Sequence, residues 1–239
     1  MRPFFRPAAK IVSAILASAC ISAGAPIQSL SADFFKRSRD ASGEDSVSGW
    51  LYFRSPSEIY MTVRSPVEQS FYLADRKMVI QYPRKKLAMS YTSRNAFSLP
   101  WFHALMGAME GEGAIARTGF ALAATERKGD TTFSEWIPRK GGRKEGPIAT
   151  LKVVRSGGRL LEFAAYDQKG VLKKKASYGD FRETGGGQLP CRIRTEEFDG
   201  KSSTVEEFGL LEPQVNPPTP PSVREWRIPP DFTVKEFQW

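Results

Sequence analysis

Side chains that commonly perform acid–base, nucleophilic or metal chemistry are scarce in this chain. His103 is the single histidine and lies in an apolar stretch, where the sequence points to neither a nucleophile nor an orienting carboxylate. Gly-x-Ser-x-Gly, Ser-x-x-Lys and paired-histidine motifs do not occur, and metal-ligand spacings are missing too. The glycines at 185–187 lack the Lys-Ser/Thr of a phosphate loop. We therefore predict a protein that is not an enzyme and uses no metal or cofactor.

The amino-terminal residues have the features of a secretory signal peptide. A basic region with Arg2, Arg6 and Lys10 precedes an apolar run at 11–19 and then a series of small residues. The apolar run is too short for a comfortable membrane span. We predict a signal peptide at 1–25, with the cleavage site left open between 19 and 32, and export to the periplasm.

The two cysteines lead to different expectations. Ala17-Ser18-Ala19-Cys20 resembles a bacterial lipobox, although alanine stands at 17 where leucine is usual. Cys20 is therefore either a lipidated first residue, which would anchor the protein to a membrane, or a small residue of the signal. Once Cys20 is removed with the signal or lipidated, Cys191 has no intramolecular disulfide partner, and we predict a buried structural thiol there.

Length, composition and charge indicate a globular, exported domain rich in turns. The chain has 239 residues, 41% hydrophobic and 12% aromatic residues, 17 prolines and 20 glycines. We predict one domain at 33–239. Basic clusters at 84–86, 139–144 and 173–175 contribute to a formal charge of +9. They fit an anionic lipid surface, an acidic protein or a merely solvated surface, and an exported protein is not expected to bind nucleic acid.

Residues 49–83 read as consecutive antiparallel strands, because three short apolar and aromatic runs are separated by Ser-Pro and Asp-Arg-Lys. Alternation places Trp50 and Tyr52 on one face and an apolar set on the other. This apolar face lines either a core or a cavity, and its candidate ligand-binding residues are Leu51, Phe53, Ile59, Met61, Val63 and Phe71.

Residues 98–109 (SLPWFHALMGAM) predict a helix that is apolar over most of its circumference. A surface helix has one apolar stripe and one polar face. This helix is therefore either a fully buried connection or a mobile lid over an apolar ligand. As a lid it would contact the ligand through Trp101, Phe102, Leu105 and Met106.

The remaining chain predicts mainly β structure. A polar turn is expected at 40–48, a hairpin at 120–138 and further strands at 148–154, 160–166, 171–181, 190–198 and 203–211. Strands at this spacing favour a meandering antiparallel sheet, a sandwich or a barrel. The proline-rich residues 213–221 should be extended and lay the final strand across the sheet.

The motifs of residues 49–83 resemble the LolA/LolB-type lipoprotein carriers. The matching positions are Gly49, Leu51, Phe53, Arg54, Pro56, Pro66, Glu68, Asp75, Lys77, Tyr82 and Pro83. Later segments at 166–170, 189–193, 199–201, 216–218 and 228–230 look like the outer-membrane lipoprotein-sorting branch. The resemblance implies an incomplete, half-open antiparallel β-barrel with a helical lid. It also implies that acyl chains of lipoproteins, or other lipids, are held in an apolar cavity during outer-membrane sorting.

This resemblance has departures and leaves alternatives. Ser55 stands where classical carriers have an arginine thought to pin the lid, and Arg76 replaces the glycine of Asp-Gly-Lys. The resemblance leaves open an inner-membrane transporter and an outer-membrane acceptor as partners, and the oligomeric state stays undetermined. The alternative function is an envelope sensor or interaction module with the same half-barrel.

Overall fold

The computed structural model describes residues 27–54, 58–74, 76–94, 115–116, 119–139, 147–184, 187–200 and 202–238. These ranges contain fourteen strands, one short α-helix, α1 (Pro221–Arg224), and a 3-10 helix at Pro83–Lys85. The first seven strands are β1 (Ser29–Asp40), β2 (Gly43–Arg54), β3 (Glu58–Ser65), β4 (Gln69–Ala74), β5 (Lys77–Tyr82), β6 (Leu87–Thr92) and β7 (Phe120–Lys128). The others are β8 (Thr131–Pro138), β9 (Thr150–Ser156), β10 (Arg159–Tyr166), β11 (Leu172–Thr184), β12 (Gly187–Phe198), β13 (Ser203–Val215) and β14 (Thr233–Gln238).

All fourteen strands belong to one sheet that does not close on itself. Their order is β14-β6-β5-β4-β3-β2-β1-β13-β12-β11-β10-β9-β8-β7, so β14 and β7 form the two edges. Neighbouring strands are antiparallel except β14 and β6, which are parallel. At the centre of the sheet β1 pairs with β13, a strand from the opposite end of the chain. The sheet is an open half-barrel, and the predicted fold class is confirmed.

Two sequence-based predictions about strands were wrong. The polar segment 40–48, predicted to be a turn, is largely strand, because β2 already begins at Gly43 and pairs with β1 along its whole length. The turn is shortened to residues 41 and 42, where the Ser42 backbone N–H donates to Asp40 Oδ1 at 2.7 Å. The final strand does not cross the sheet, because β14 extends the β6 edge. The predicted hairpin at 120–138 is confirmed as β7 and β8.

The sheet has an inner face and an outer face, which we define by the side chains of Leu51 and Tyr52 respectively. The register connects inner-face residues from strand to strand between β6 and β1, in the order Met89, Ile80, Phe71, Met61, Leu51 and Ala32. Beyond β1 the inner face continues through Phe34, Leu210, Phe208, Ile193, Tyr178, Ala176, Phe163, Val153 and Ser134. One buried hydrophobic cluster spans this face, in the order of the sheet, from β4 to β8.

The outer face of β2 to β6 is covered by residues 216–232, which we call the strap. Trp226 stacks on Tyr72 with ring centroids 4.4 Å apart, and the hydroxyls of Tyr52 and Thr219 lie 3.1 Å apart. The strap also accepts a hydrogen bond from Gln81 Nε2 through the Arg227 carbonyl at 3.1 Å. The strap therefore holds the aromatic side of β2 to β4 away from solvent.

The strap is attached to β1 through Asn216, and this attachment can be tested. The Asn216 side-chain oxygen accepts hydrogen bonds from the backbone N–H groups of Gln28 at 2.7 Å and Ser29 at 3.1 Å. Asn216 also has φ 53°, which disfavours most other residues. Asn216→Ala should lower the free energy of unfolding by about 2 kcal/mol in a urea titration. Asn216→Gly keeps the backbone conformation and should cost only about half as much. Equal losses for both variants would show that the side-chain hydrogen bonds carry the whole effect.

Candidate functional site

The centre of the inner face is a packed core. Four of the predicted ligand-binding residues, Leu51, Phe53, Ile59 and Val63, are between 1% and 3% exposed and belong to the buried cluster. The rings of Phe34 and Phe208 stack within the same cluster, with centroids 5.9 Å apart. These four residues therefore form the buried floor of the inner face, and their contact with a ligand remains a prediction.

Next to this core, the inner face of β3 to β6 presents apolar side chains that are only half-buried. We call this surface the apolar shelf, and its members are Met61, Phe71, Met78, Ile80 and Met89. Met61 and Phe71 were among the sequence-predicted residues and pack against the edge of the core cluster. On the outer face of the same strands, which the strap covers, Val79 and Ala88 are each 0% exposed.

Sequence reasoning missed the half of the shelf that lies on β5 and β6. Met78 and Ile80 alternate with Val79 and Gln81, and Met89 follows the same period in β6. This alternation was readable from the sequence. The composition hides it, because the buried side of these strands contains small and polar residues such as Gln81.

Several sequence predictions lie outside the described residues. They are the signal peptide at 1–25 with Cys20, the position of Ser55, and the predicted helix at 98–109 with His103, Trp101, Phe102, Leu105 and Met106. The nearest described residues after that segment are Ile115 and Ala116, which pack against the core cluster. The lid and the lipidation site therefore remain predictions.

The basic cluster at 173–175 is neutralised within the molecule. Lys173 pairs with Asp167 at 3.2 Å, and the Lys175 amine lies 2.7 Å from a Glu162 carboxylate oxygen. Lys174 pairs with Glu197. The pKa of Lys175 is raised, mainly by its hydrogen bond to Glu162. This cluster therefore offers much less positive charge to a lipid surface or protein partner than its sequence suggests.

Cys191 is a buried thiol on the inner face, as the sequence predicted. It is 6% exposed, and its Sγ donates to the Leu189 carbonyl at a distance of 3.7 Å. Burial raises the pKa of Cys191, so the thiol stays protonated and poorly nucleophilic at neutral pH.

The outer face carries a polar cleft of about 250 Å³ beside the strap. The Arg54 guanidinium pairs there with Glu58, whose carboxylate also accepts a hydrogen bond from the Tyr72 hydroxyl at 2.8 Å. Arg54 thus points away from the inner face, as alternation predicted. Because charged and polar groups line this cleft, it suits an acyl chain less well than the apolar shelf does.

Neither a metal site nor a membrane-spanning helix is found in the described part of the chain. Within those ranges, no three His, Cys, Asp or Glu side chains are grouped closely enough to hold a metal ion. Over the same residues, no helix has both the length and the apolar character required to span a membrane.

A one-sheet half-barrel with an apolar inner face and a strapped outer face defines a LolA-like fold. Two solved structures with this architecture are a LolA superfamily protein from Nitrosomonas europaea (TM-score 0.50, 14% identity) and an outer membrane lipoprotein-sorting protein domain from Vibrio parahaemolyticus (TM-score 0.53, 12% identity). The aligned regions cover 83% and 85% of this chain and 90% and 92% of those proteins.

A DUF1329 family protein from Desulfovibrio piger is similar to the same degree, with TM-score 0.50 and 15% identity over 82% of this chain and 88% of that one. No family model matches the sequence, and no curated protein sequence matches it either. At these identities the similarity establishes the fold, and this fold agrees with the half-barrel that the resemblance of residues 49–83 implied.

Proposed function

We propose that this protein is an exported binding protein that holds acyl chains, of lipoproteins or of other lipids, on the inner face of its half-barrel. The periplasm is the proposed location, because the amino terminus has signal-peptide features. The outer-membrane lipoprotein-sorting role implied by the sequence resemblance is the proposed context. A transporter that loads the protein and an acceptor that unloads it are part of the same proposal.

The observation that carries this proposal is the apolar shelf. An antiparallel strand normally buries its apolar side and exposes its polar side. In β5 and β6 the relation is reversed: Gln81 and Ser90 on the outer face are 7% exposed, whereas Ile80 and Met89 on the inner face are half-buried. Apolar area left accessible beside a completed core is available for an apolar ligand.

The energetics of an acyl chain on this surface are favourable without polar contacts. Each methylene removed from water contributes about 0.8 kcal/mol, so four or five methylenes contribute about 3–4 kcal/mol. Methionine side chains adapt to chains of different shape, and three of the five shelf residues are methionines. The shelf therefore suits chains of variable length and saturation.

The direct test is native mass spectrometry of protein isolated from the periplasm, followed by titration of the lipid-free protein with a fluorescent fatty acid. We expect a co-purified acyl species and saturable binding of the probe. Absence of both would contradict the proposal. An envelope sensor with the same half-barrel would instead capture a signalling protein and transfer no lipoprotein to an acceptor in vitro.

A separate prediction distinguishes a soluble carrier from an anchored acceptor. Alanine at 17 departs from the usual lipobox, so we expect no label on the protein after growth with an alkyne fatty acid. The measurement is in-gel fluorescence of the wild type, of Cys20→Ala and of the control Cys191→Ala. Label that is present in the wild type and lost only in Cys20→Ala would identify an anchored lipoprotein instead.

A further inference from the structure

Arg155 occupies an unusual position on the inner face. In β9 it alternates with Leu151 and Val153, which are both buried in the core cluster. Its partner across the ladder is Leu160, which is 5% exposed and belongs to the same cluster. Alternation therefore directs the guanidinium toward the apolar side of the sheet.

This guanidinium has no partner in the described part of the chain. Its Nε and one terminal nitrogen are fully buried, and neither makes a hydrogen bond. The described strands β8 to β10 contain two carboxylates, Glu135 and Glu162. Glu135 pairs with Lys152 and Glu162 pairs with Val154, so both carboxylates lie on the outer face. Arg155 as a whole is half-buried, so its charge is only partly hydrated, and a cation in that position without a counter-charge is unfavourable because its desolvation is not compensated.

A second orphaned donor lies on the same face. Trp136 is 5% exposed, pairs with Leu151 across the ladder, and its indole N–H lacks a partner within the described residues. Both groups can only donate hydrogen bonds. Four residues of strand separate the two positions, which is about 13 Å along the sheet. A ligand that satisfies both donors must therefore be elongated and carry acceptor oxygens.

The buried phenol of Tyr178 is affected by the charge of Arg155. Burial raises the pKa of the Tyr178 phenol, and the positive charge of Arg155 opposes this rise. Tyr178 pairs with Ile193 in the register and is part of the core cluster. The guanidinium is thus close enough to act on a buried phenol, in a region where an opposite charge would be strongly attracted.

We propose that Arg155 binds the oxyanion of an anionic lipid, a carboxylate or a phosphate, whose acyl chain lies on the inner face. This inference rests on the proposed function and deepens it by naming the class of lipid. Arginine forms paired hydrogen bonds with the oxygens of either group. Trp136 donates to a second acceptor oxygen only in a lipid that carries one about 13 Å from the headgroup, and Arg155 alone decides the preference for an anion. An uncharged lipid of equal chain length leaves Arg155 unpaired and binds more weakly.

The experiment uses the full mature chain, stripped of lipid, and three ligands with the same sixteen-carbon chain. The measurement is competition with the uncharged fluorescent probe N-phenyl-1-naphthylamine by hexadecanoate, hexadecyl phosphate and hexadecanol in turn. We expect at least one of the two anions to displace the probe at a concentration about tenfold lower than hexadecanol does. Whichever anion is stronger identifies the headgroup, carboxylate or phosphate.

Variants of Arg155 separate a ligand contact from a structural role. Arg155→Met should abolish the preference for anions, and Arg155→Lys should retain part of it. Removal of an uncompensated charge should also raise the melting temperature of the lipid-free protein by about 4 °C in Arg155→Met. The matched control is Arg127→Gln, an exposed arginine of β7, which should change neither quantity.

Two outcomes overturn the inference while leaving the proposed function intact. One is equal displacement by all three ligands in the wild type. The other is an Arg155→Met variant that melts at a lower temperature and keeps the wild-type preference, since that result assigns Arg155 a structural role. Failure of all three ligands to bind, with no acyl species found by mass spectrometry, removes the proposed function and this inference together.

Discussion

Gly49→Ala is expected to destabilise the protein by about 3 kcal/mol, the largest effect that we predict for a single methyl group. A Cβ built at Gly49 would lie 1.9 Å from the Thr62 carbonyl oxygen and 3.0 Å from the Phe34 ring. The obstacle is backbone, in the irregular pairing between β2 and β3 that shifts register at Ser48 and Gly49. The strands must therefore separate locally to admit the methyl group, and hydrogen bonds near the core would weaken.

Gly209→Ala is the matched control for this prediction. A Cβ at Gly209 would lie 2.1 Å from the Phe35 ring, which is a half-buried side chain that can rotate away. We expect a loss of about 1 kcal/mol there. Urea denaturation followed by far-ultraviolet circular dichroism measures both variants. A Gly49→Ala loss equal to or smaller than that of Gly209→Ala would contradict the close approach of β2 and β3.

The second large effect concerns ligand binding. Ile80→Asp should lower the affinity for a fluorescent fatty acid at least about tenfold, or 1.4 kcal/mol, because a carboxylate replaces apolar area on the shelf. Ile80 is half-buried, between Phe71 and Met89 in the register. The charge can therefore remain hydrated in the free protein, so the fold should persist and only binding should weaken.

Val234→Asp is the control for the charge itself. Val234 is 43% exposed and pairs with Ala88, so it lies on the outer face of the edge strand β14. The same substitution there should leave fatty-acid affinity and melting temperature unchanged. If the two variants bind equally well, the ligand does not contact the shelf, and the proposed binding surface is wrong even where the protein binds lipid.

The alternation of residues in 49–83 was sufficient to predict which side chains share a face. Leu51, Phe53 and Ile59 are together on the inner face, and Tyr52 and Tyr60 are together on the outer face. Alternation follows from the two-residue period of a strand, so it survives any arrangement of the sheet. The two-residue period does not show which of the two faces a distant segment will cover. In β4 to β6 the strap covers the outer face.

Charge and polarity were less predictable, because partners separated by many residues are invisible in a linear reading. The lysines at 173–175 read as a basic patch, but Glu162 and Glu197 of the neighbouring strands pair with Lys175 and Lys174, and Asp167 of the β10–β11 turn pairs with Lys173. Arg155 shows the opposite case. Only the register reveals that it lies on the apolar face, where the described residues supply no counter-charge.

The sequence by itself determined the class of fold, the alternating faces of the strands and the lack of recognisable catalytic motifs, because each depends on local composition and spacing. The tertiary structure alone decided that Leu51, Phe53, Ile59 and Val63 are core residues, whereas Ile80 and Met89 form an accessible apolar surface. The reason is physical. Accessibility depends on what packs against a face, and the core cluster that contains Leu51 includes residues of β8 to β13, which lie far along the chain.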